Sequence, residues 1–428
     1  MKLKNVVFMY LIVLLSFGFL MTRNAQSSNE SSTKRILINF RAKVPVNHRN
    51  RVITSIRAKS IANIVGRNDD FIVAVVDIPS DILKNDWMWF VPRQTHEAVM
   101  NLVPEDVKQD IIKVEEDYRV RWIEEPSFQG TSFPSFKSII DSLPKLHISA
   151  VRPEITWGID RVHAPAAWQV TEGKGVRVGI IDTGIDFSHP EFQGQIDGGY
   201  DAISKTEKRE NYQDQNGHGT HVAGTIAALH DGKGVVGVAP KTRLYAVRVL
   251  DANGSGQLSD VIDGIIWCAN HDIQVANMSL GSGSPSDTMQ RALQFAMYRG
   301  VIVVAAAGNS GGAVGYPAAY PETIAVSASD SDDNIASFSS RGPEVAFIAP
   351  GVNIVSAKMG GGYVSYSGTS MATPHMTGLV ALVVSQGWVG LNGPDGVLQV
   401  LKKAAVKLPN LKDTDQGSGL VDGGKLVR

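Results

Sequence analysis

Hydrophobic residues change their spacing three times along this chain. Residues 6–21 are almost uninterruptedly apolar behind Lys2 and Lys4, and the small residue Ala25 follows. This reads as a secretory signal over 1–26. The run is also only just short of a membrane span, so an uncleaved amino-terminal tether stays open beside a cleaved leader. Either outcome exports the remainder.

From 27 to 125 the spacing shortens. Residues 35–40 alternate and are β-rich, 50–65 carry apolar residues at helical intervals, and 71–77 form a second strand. A helix within 105–112 and a strand over 112–120 complete a small α+β unit of ferredoxin-like type, with helices on one face of its sheet. Periodicity then fails. Residues 126–153 are rich in Pro, Ser, Phe and Gly and read as an exposed linker open to proteolysis.

Beyond 154 continuous Val/Ile/Ala strands alternate with helices. Strands are expected at 176–181, 243–249, 275–279, 301–307 and 324–328, and helices at 218–229, 259–271, 287–299 and from 370 to about 386. Strands apolar on both faces between such helices predict a mainly parallel sheet in a three-layer α/β/α domain over 154–428. There is no internal repeat.

Composition narrows the function. Across 428 residues, 43% hydrophobic and 19% charged residues describe a folded protein, and 41 basic against 42 acidic residues give no electrostatic reason for a nucleic-acid partner. The single cysteine, Cys268, excludes an intramolecular disulfide and a cysteine metal cluster, and it reads as a small buried hydrophobe.

Reactive side chains gather at the ends of three apolar segments. Val178-Gly-Ile-Ile-Asp182 ends a strand in a carboxylate. Asn216-Gly-His218-Gly-Thr-His221 opens a helix among small residues. Ser367-Gly-Thr-Ser370-Met-Ala-Thr-Pro374 turns through glycine into a helix, with the proline read as part of its first turn. Individually these are a turn former, a histidine pair and a cap. A zinc pair is disfavoured because no acid lies between the histidines in the His-Glu-x-x-His manner. Jointly they supply an orienting carboxylate, a base and a weak nucleophile at a helix amino-terminus, which is what activating a serine requires.

These three segments resemble the signatures of the subtilisin (subtilase) family, in its order Asp, His, Ser, and the resemblance covers 157–428. It implies a serine endopeptidase with Asp182, His218 and Ser370 as triad. Asn309, in Val303-Val-Ala-Ala-Ala-Gly-Asn309, would be the oxyanion donor. Gly254, Ser255 and Gly256 on one side and Ser279, Leu280 and Gly281 on the other would flank an extended substrate. Residues 305–309, with Ala306 and Gly308, would line the primary pocket and Gly315 would floor it, implying large uncharged P1 residues. The resemblance also implies a structural calcium ion held by Glu191, Leu229, Asp231, Lys233 and Val235, no catalytic metal, and an amino-terminal ligand lost or shifted to Pro153 or Glu154. The unit over 27–125 resembles the family's inhibitory propeptide, clearest in Ile112-Lys-Val-Glu-Glu-Asp-Tyr-Arg, with 87–103 as an insertion. The expectation is a monomeric, exported zymogen acting on polypeptides, its own propeptide the intramolecular partner. An inactive binding scaffold is the alternative from another class.

Overall fold

The computed structural model describes residues 33–79, 93–123, 154–393 and 396–427. The expected leader at 1–26 and linker at 126–153 lie outside the described residues. No helix among the described residues is long and apolar enough to cross a membrane.

The amino-terminal unit is a four-stranded antiparallel sheet in the order β2-β3-β1-β4: β1 Thr33–Phe40, β2 Lys59–Val65, β3 Ile72–Pro79 and β4 Ile111–Glu116. Helix α1, Val46–Ser55, and α2, Arg93–Met100, accompany it. The single helix expected over 50–65 is therefore wrong in its second half. The chain reverses at Arg57, whose φ is 52°, and 59–65 pairs with β3. Ile61, Ile64 and Val65 are β-branched, and pairing with a neighbouring strand decides such a segment more than its own spacing does.

Alternation explains how this sheet sits. Ile36, Ile38 and Phe40 of β1 pack with Ile72, Ala74 and Val76 of β3 and with Val52 of α1. Leu37, Val73 and Val75 face the other way and join the core of the larger domain. Both faces of the small sheet are buried, which is why its central strands read as continuous apolar runs.

The larger domain is built on β6 Arg177–Asp182, β7 Ile196–Asp201, β8 Arg243–Arg248, β10 Val275–Met278, β11 Ile302–Ala306, β12 Thr323–Ser329 and β13 Val345–Pro350, with β14 Ile354–Ala357 and β15 Tyr363–Tyr366 as a separate antiparallel pair. With the short β16 Ala405–Val406 and β17 Leu420–Val421, the order is β16-β17-β13-β12-β11-β10-β6-β8-β7, parallel except for the β16–β17 pair. Helices α3 His218–Ala227 and α6 Thr369–Val384 share one core with Val178, Ile180 and Val304. Helices α4 Leu258–Asn270 and α5 Asp287–Tyr298 share the other with Ile181, Val303 and Ala305. Successive strand residues thus serve opposite layers, confirming the three-layer α/β/α expectation. Cys268 is buried on α4, and burial pushes its thiol pKa up, in keeping with a packing role.

Candidate active site

Asp182 ends β6 and His218 begins α3, so their meeting depends on how closely that strand and helix approach. A Cβ on Gly219 would fall 2.1 Å from the Gly184 carbonyl, and Gly217, just before the helix, has φ 105°. Glycine lets backbone touch backbone at 219 and lets the chain take a left-handed turn at 217. The His218 Nδ1 consequently lies 2.8 and 2.9 Å from the two Asp182 carboxylate oxygens. Asp182 Oδ1 also accepts from the Thr183 N–H at 2.7 Å. A carboxylate on Nδ1 keeps the proton there and leaves Nε2 as the basic nitrogen. Burial opposes charging of His218, but the Asp182 carboxylate and the more distant Asp214 outweigh it and raise its pKa.

Asp214 is a site residue that the motif reading missed. Its carboxylate takes the hydroxyls of Thr183 and Thr220 and the N–H groups of Asn216, Gly217 and Thr220, fixing the entry to α3. An aspartate shortly before a helix start was the available signal. His221 is directed elsewhere. Its Nε2 lies 2.9 Å from the Ile354 carbonyl and its ring stacks on Tyr366, while burial lowers its pKa to about 3.

Ser370 is the second residue of α6, where N–H groups lack intrahelical acceptors and the helix field favours negative charge. Its hydroxyl donates to the Ser279 carbonyl at 3.0 Å, so in this resting geometry the hydroxyl proton is not directed at His218. Pro374 is the sixth helical residue, not part of the first turn as expected. Asn309 follows β11, and its Oδ1 accepts from the N–H and hydroxyl of Thr369 at 2.8 and 2.9 Å. Because those contacts need an acceptor, Nδ2 is the end left to donate.

A cavity of about 360 Å³ opens beside Ser370 and Asn309. Leu280, Gly281, Ala306, Gly308 and Gly315 line it, together with Ser310, Ala313 and Val314 of the loop after Asn309 and with Ser340 and Thr369, which the sequence reading did not assign. Ala305 and Ala307 correct the expected lining of 305–309. Both are fully buried in the core, because residues alternate across the strand and its exit. A Cβ on Gly315 would stand 3.1 Å from the Ser282 carbonyl, so a side chain there would press on that backbone.

The cleft holds part of this same chain. Strand β5, Arg119–Arg121, pairs antiparallel with β9, Ser255–Gln257, so that Val120 faces Gly256 and Arg121 faces Ser255. The Trp122 N–H donates to the Gly254 carbonyl at 2.9 Å, and the Gly281 N–H donates to the Trp122 carbonyl at 2.9 Å. The two backbone segments expected to flank a peptide therefore grip residues 119–123. Two acids anchor the same unit. Glu115 accepts from the Ser286 hydroxyl and the Thr288 N–H at the start of α5, and Asp117 accepts from the N–H and hydroxyl of Ser259 on α4.

The expected calcium ligands lie together. The loop carrying Leu229, Asp231, Lys233 and Val235 is tied to Glu191 by the Leu229 N–H on its carbonyl and the Val235 N–H on its carboxylate. Burial raises the Glu191 pKa, opposed by donors from Tyr363 and Val235 and reinforced by Asp231. Glu154, one of the two positions named for a lost or shifted amino-terminal ligand, has a carboxylate that accepts from the Gly232 N–H at 2.8 Å. An all-oxygen donor set with neighbouring anions suits a hard cation such as calcium. Among the described residues, no cluster of three or more His, Cys, Asp or Glu side chains is arranged to hold a metal, so carbonyls would have to complete the set.

The Subtilase family profile matches residues 173–419. M-protease of Shouchella clausii (strain KSM-K16) is 46% identical over 285 residues, covering 66% of this chain and 72% of that protein. Subtilisin Savinase of Lederbergia lenta is 47% identical over 278 residues, covering 64% and 99%. Alkaline elastase YaB of Bacillus sp. (strain YaB) is 46% identical over 278 residues, covering 64% and 70%. With more than half of its length inside the family profile, the chain belongs to the subtilase family and is a subtilisin-like serine peptidase.

Proposed function

We propose that this peptidase is an exported endopeptidase made as a zymogen, cutting polypeptides through an acyl-enzyme on Ser370. The Ser370 side chain turns from the Ser279 carbonyl toward His218 Nε2, which takes the hydroxyl proton as Oγ attacks the scissile carbonyl. The carbonyl electron pair moves onto oxygen, where Asn309 Nδ2 and the Ser370 N–H donate to it. Collapse expels the amine, which receives its proton from His218. Water then repeats the sequence and frees the acid. Asp182 orients the imidazole and stabilises its charged form without taking the proton itself.

The observation that carries the zymogen reading is the chain's own 119–123 segment held as an extended strand where a peptide would lie. Main-chain recognition of this kind is tolerant of sequence and supports broad specificity. The uncharged walls contributed by Leu280, Ala306, Ala313 and Val314 support large uncharged P1 residues such as Leu, Phe, Tyr or Met. The apolar leader supports export to the medium or cell envelope. Glu191 and Asp231, with carbonyls of Leu229, Lys233 and Val235, would hold a calcium ion that offsets their repulsion and braces the loop.

A fluorophosphonate probe tests the reading. It should label processed wild-type protein at Ser370 and leave the full-length precursor and Ser370→Ala unlabelled. Equal labelling of precursor and processed protein would refute the zymogen, and no labelling of either would favour a binding scaffold.

A further inference from the structure

Strand β5 is a bound peptide of known sequence, so its side chains report on the surface beneath them. The main-chain bonds that Trp122, the next residue, makes to Gly254 and Gly281 read no sequence. Arg119 is different. Its register partner is Gln257, and its Nη2 donates to the Oδ2 of Asp251.

Asp251 is built to present that oxygen. Its Oδ1 accepts from the N–H groups of Asn253 and Ser255 at 2.8 and 3.0 Å. Its own N–H donates to the Ser255 carbonyl at 2.8 Å, and its carbonyl accepts from the Gly254 N–H at 3.0 Å. One oxygen and the backbone thus form the turn that leads into β9, and the second oxygen faces the peptide. The turn fixes the carboxylate rotamer, so little side-chain entropy is lost on the protein's side when a cation arrives. Read from sequence alone, an aspartate in Leu250-Asp-Ala-Asn-Gly254 is only a turn former.

We propose that Asp251 is a specificity determinant, favouring substrates with Arg or Lys at the position that Arg119 occupies, three residues before the one held by Gly254 and Gly281. This rests on the endopeptidase reading and deepens it. Apart from Arg121 of the bound segment itself, the residues lining the primary pocket are uncharged, so the basic preference acts away from the cleaved bond. The pair is partly exposed, with 48% of the Arg119 side chain and 27% of the Asp251 side chain accessible. Such pairs contribute modestly, and a preference of roughly two- to fivefold at low salt follows.

The test uses processed protease and octapeptides with one uncharged P1 residue, in which Arg, Ala or Glu is moved in turn through P3 to P6. One position should show kcat/KM in the order Arg, Ala, Glu, with the Arg/Ala ratio in the stated range. The ratio should approach one in about 1 M salt. It should also approach one in Asp251→Asn, which keeps an oxygen for the turn and removes the charge. A structural role alone would lower the Arg and Ala peptides together and leave the ratio standing. A ratio near one at every position, or one that survives Asp251→Asn, overturns the subsite while leaving the protease intact. Failure of wild type to cleave even the alanine peptides faster than Ser370→Ala overturns the endopeptidase reading and the subsite with it.

Discussion

Ser279 and Ser370 exchange hydrogen bonds: the Ser279 hydroxyl donates to the Ser370 carbonyl at 2.8 Å, and the Ser370 hydroxyl donates to the Ser279 carbonyl at 3.0 Å. Pro374 is the reason the first bond is needed. It lacks the N–H that would close an i to i−4 bond onto Ser370, so a side chain from the end of β10 supplies the donor. Asn277 Nδ2 donates to Ser279 Oγ in turn, and Asn277 Oδ1 accepts from Thr377 of α6. The Ser370 backbone is thereby held to the central sheet.

Ser279→Ala should leave a buried carbonyl unpaired. A loss of about 1–3 kcal/mol in unfolding free energy is expected. The loosened helix start should lower kcat by roughly ten- to a hundredfold. Denaturant unfolding and steady-state kinetics on one variant read both effects.

Asp182→Asn should cost roughly 10⁴-fold in kcat, as expected when the base loses its tautomer. The pH profile gives a separate check. In the proposed mechanism the imidazole must be neutral to accept the proton, and Asp182 helps hold the His218 pKa above its ordinary value, so the acid limb of wild-type kcat/KM should lie above that of an ordinary histidine. Removing the carboxylate leaves burial dominant, which lowers the pKa, and the acid limb should move to lower pH.

In the proposed mechanism Asn309→Ala removes a donor to the developing oxyanion and little else that meets the substrate. The expected fall is about 10²–10³ in kcat with KM nearly unchanged, the range established for the corresponding asparagine of subtilisin. A rise in KM with kcat preserved would count against the role.

Glu115→Ala and Asp117→Ala each remove a carboxylate acceptor at a helix start of the larger domain. Each should weaken the hold of the amino-terminal unit by about 1 kcal/mol, speeding the appearance of activity after processing. A time course of peptide cleavage following release of the precursor measures it.

Calcium should raise the melting temperature of processed protein and a chelator should lower it, by about 2.7 kcal/mol of stability at a hundredfold excess over Kd. Glu191→Gln should shrink that difference. A chelator without effect on wild type would remove the ion from the proposal.

Legibility followed the range of the forces involved. The helix starting at His218, the strand ending at Asp182 and the apolar helix after Ser370 were all visible, because each rests on local periodicity and small-residue motifs. Residues 59–65 were misread as helix because their state depends on pairing with β3. Asp214 was overlooked because its importance comes from contacts with Thr183 and Thr220 on two elements.

The sequence by itself determined the alternation of strands and helices and the family, and it named the candidate reactive groups, since these lie in contiguous motifs. Only the tertiary structure decided which oxygen the Ser370 hydroxyl faces, that Ala305 and Ala307 turn to the core while Ala306 and Gly308 line the cavity, and that Arg119 reaches Asp251. Each of these joins residues from separate elements. Their relative placement is fixed by packing and sheet register, to which the linear order of side chains is blind.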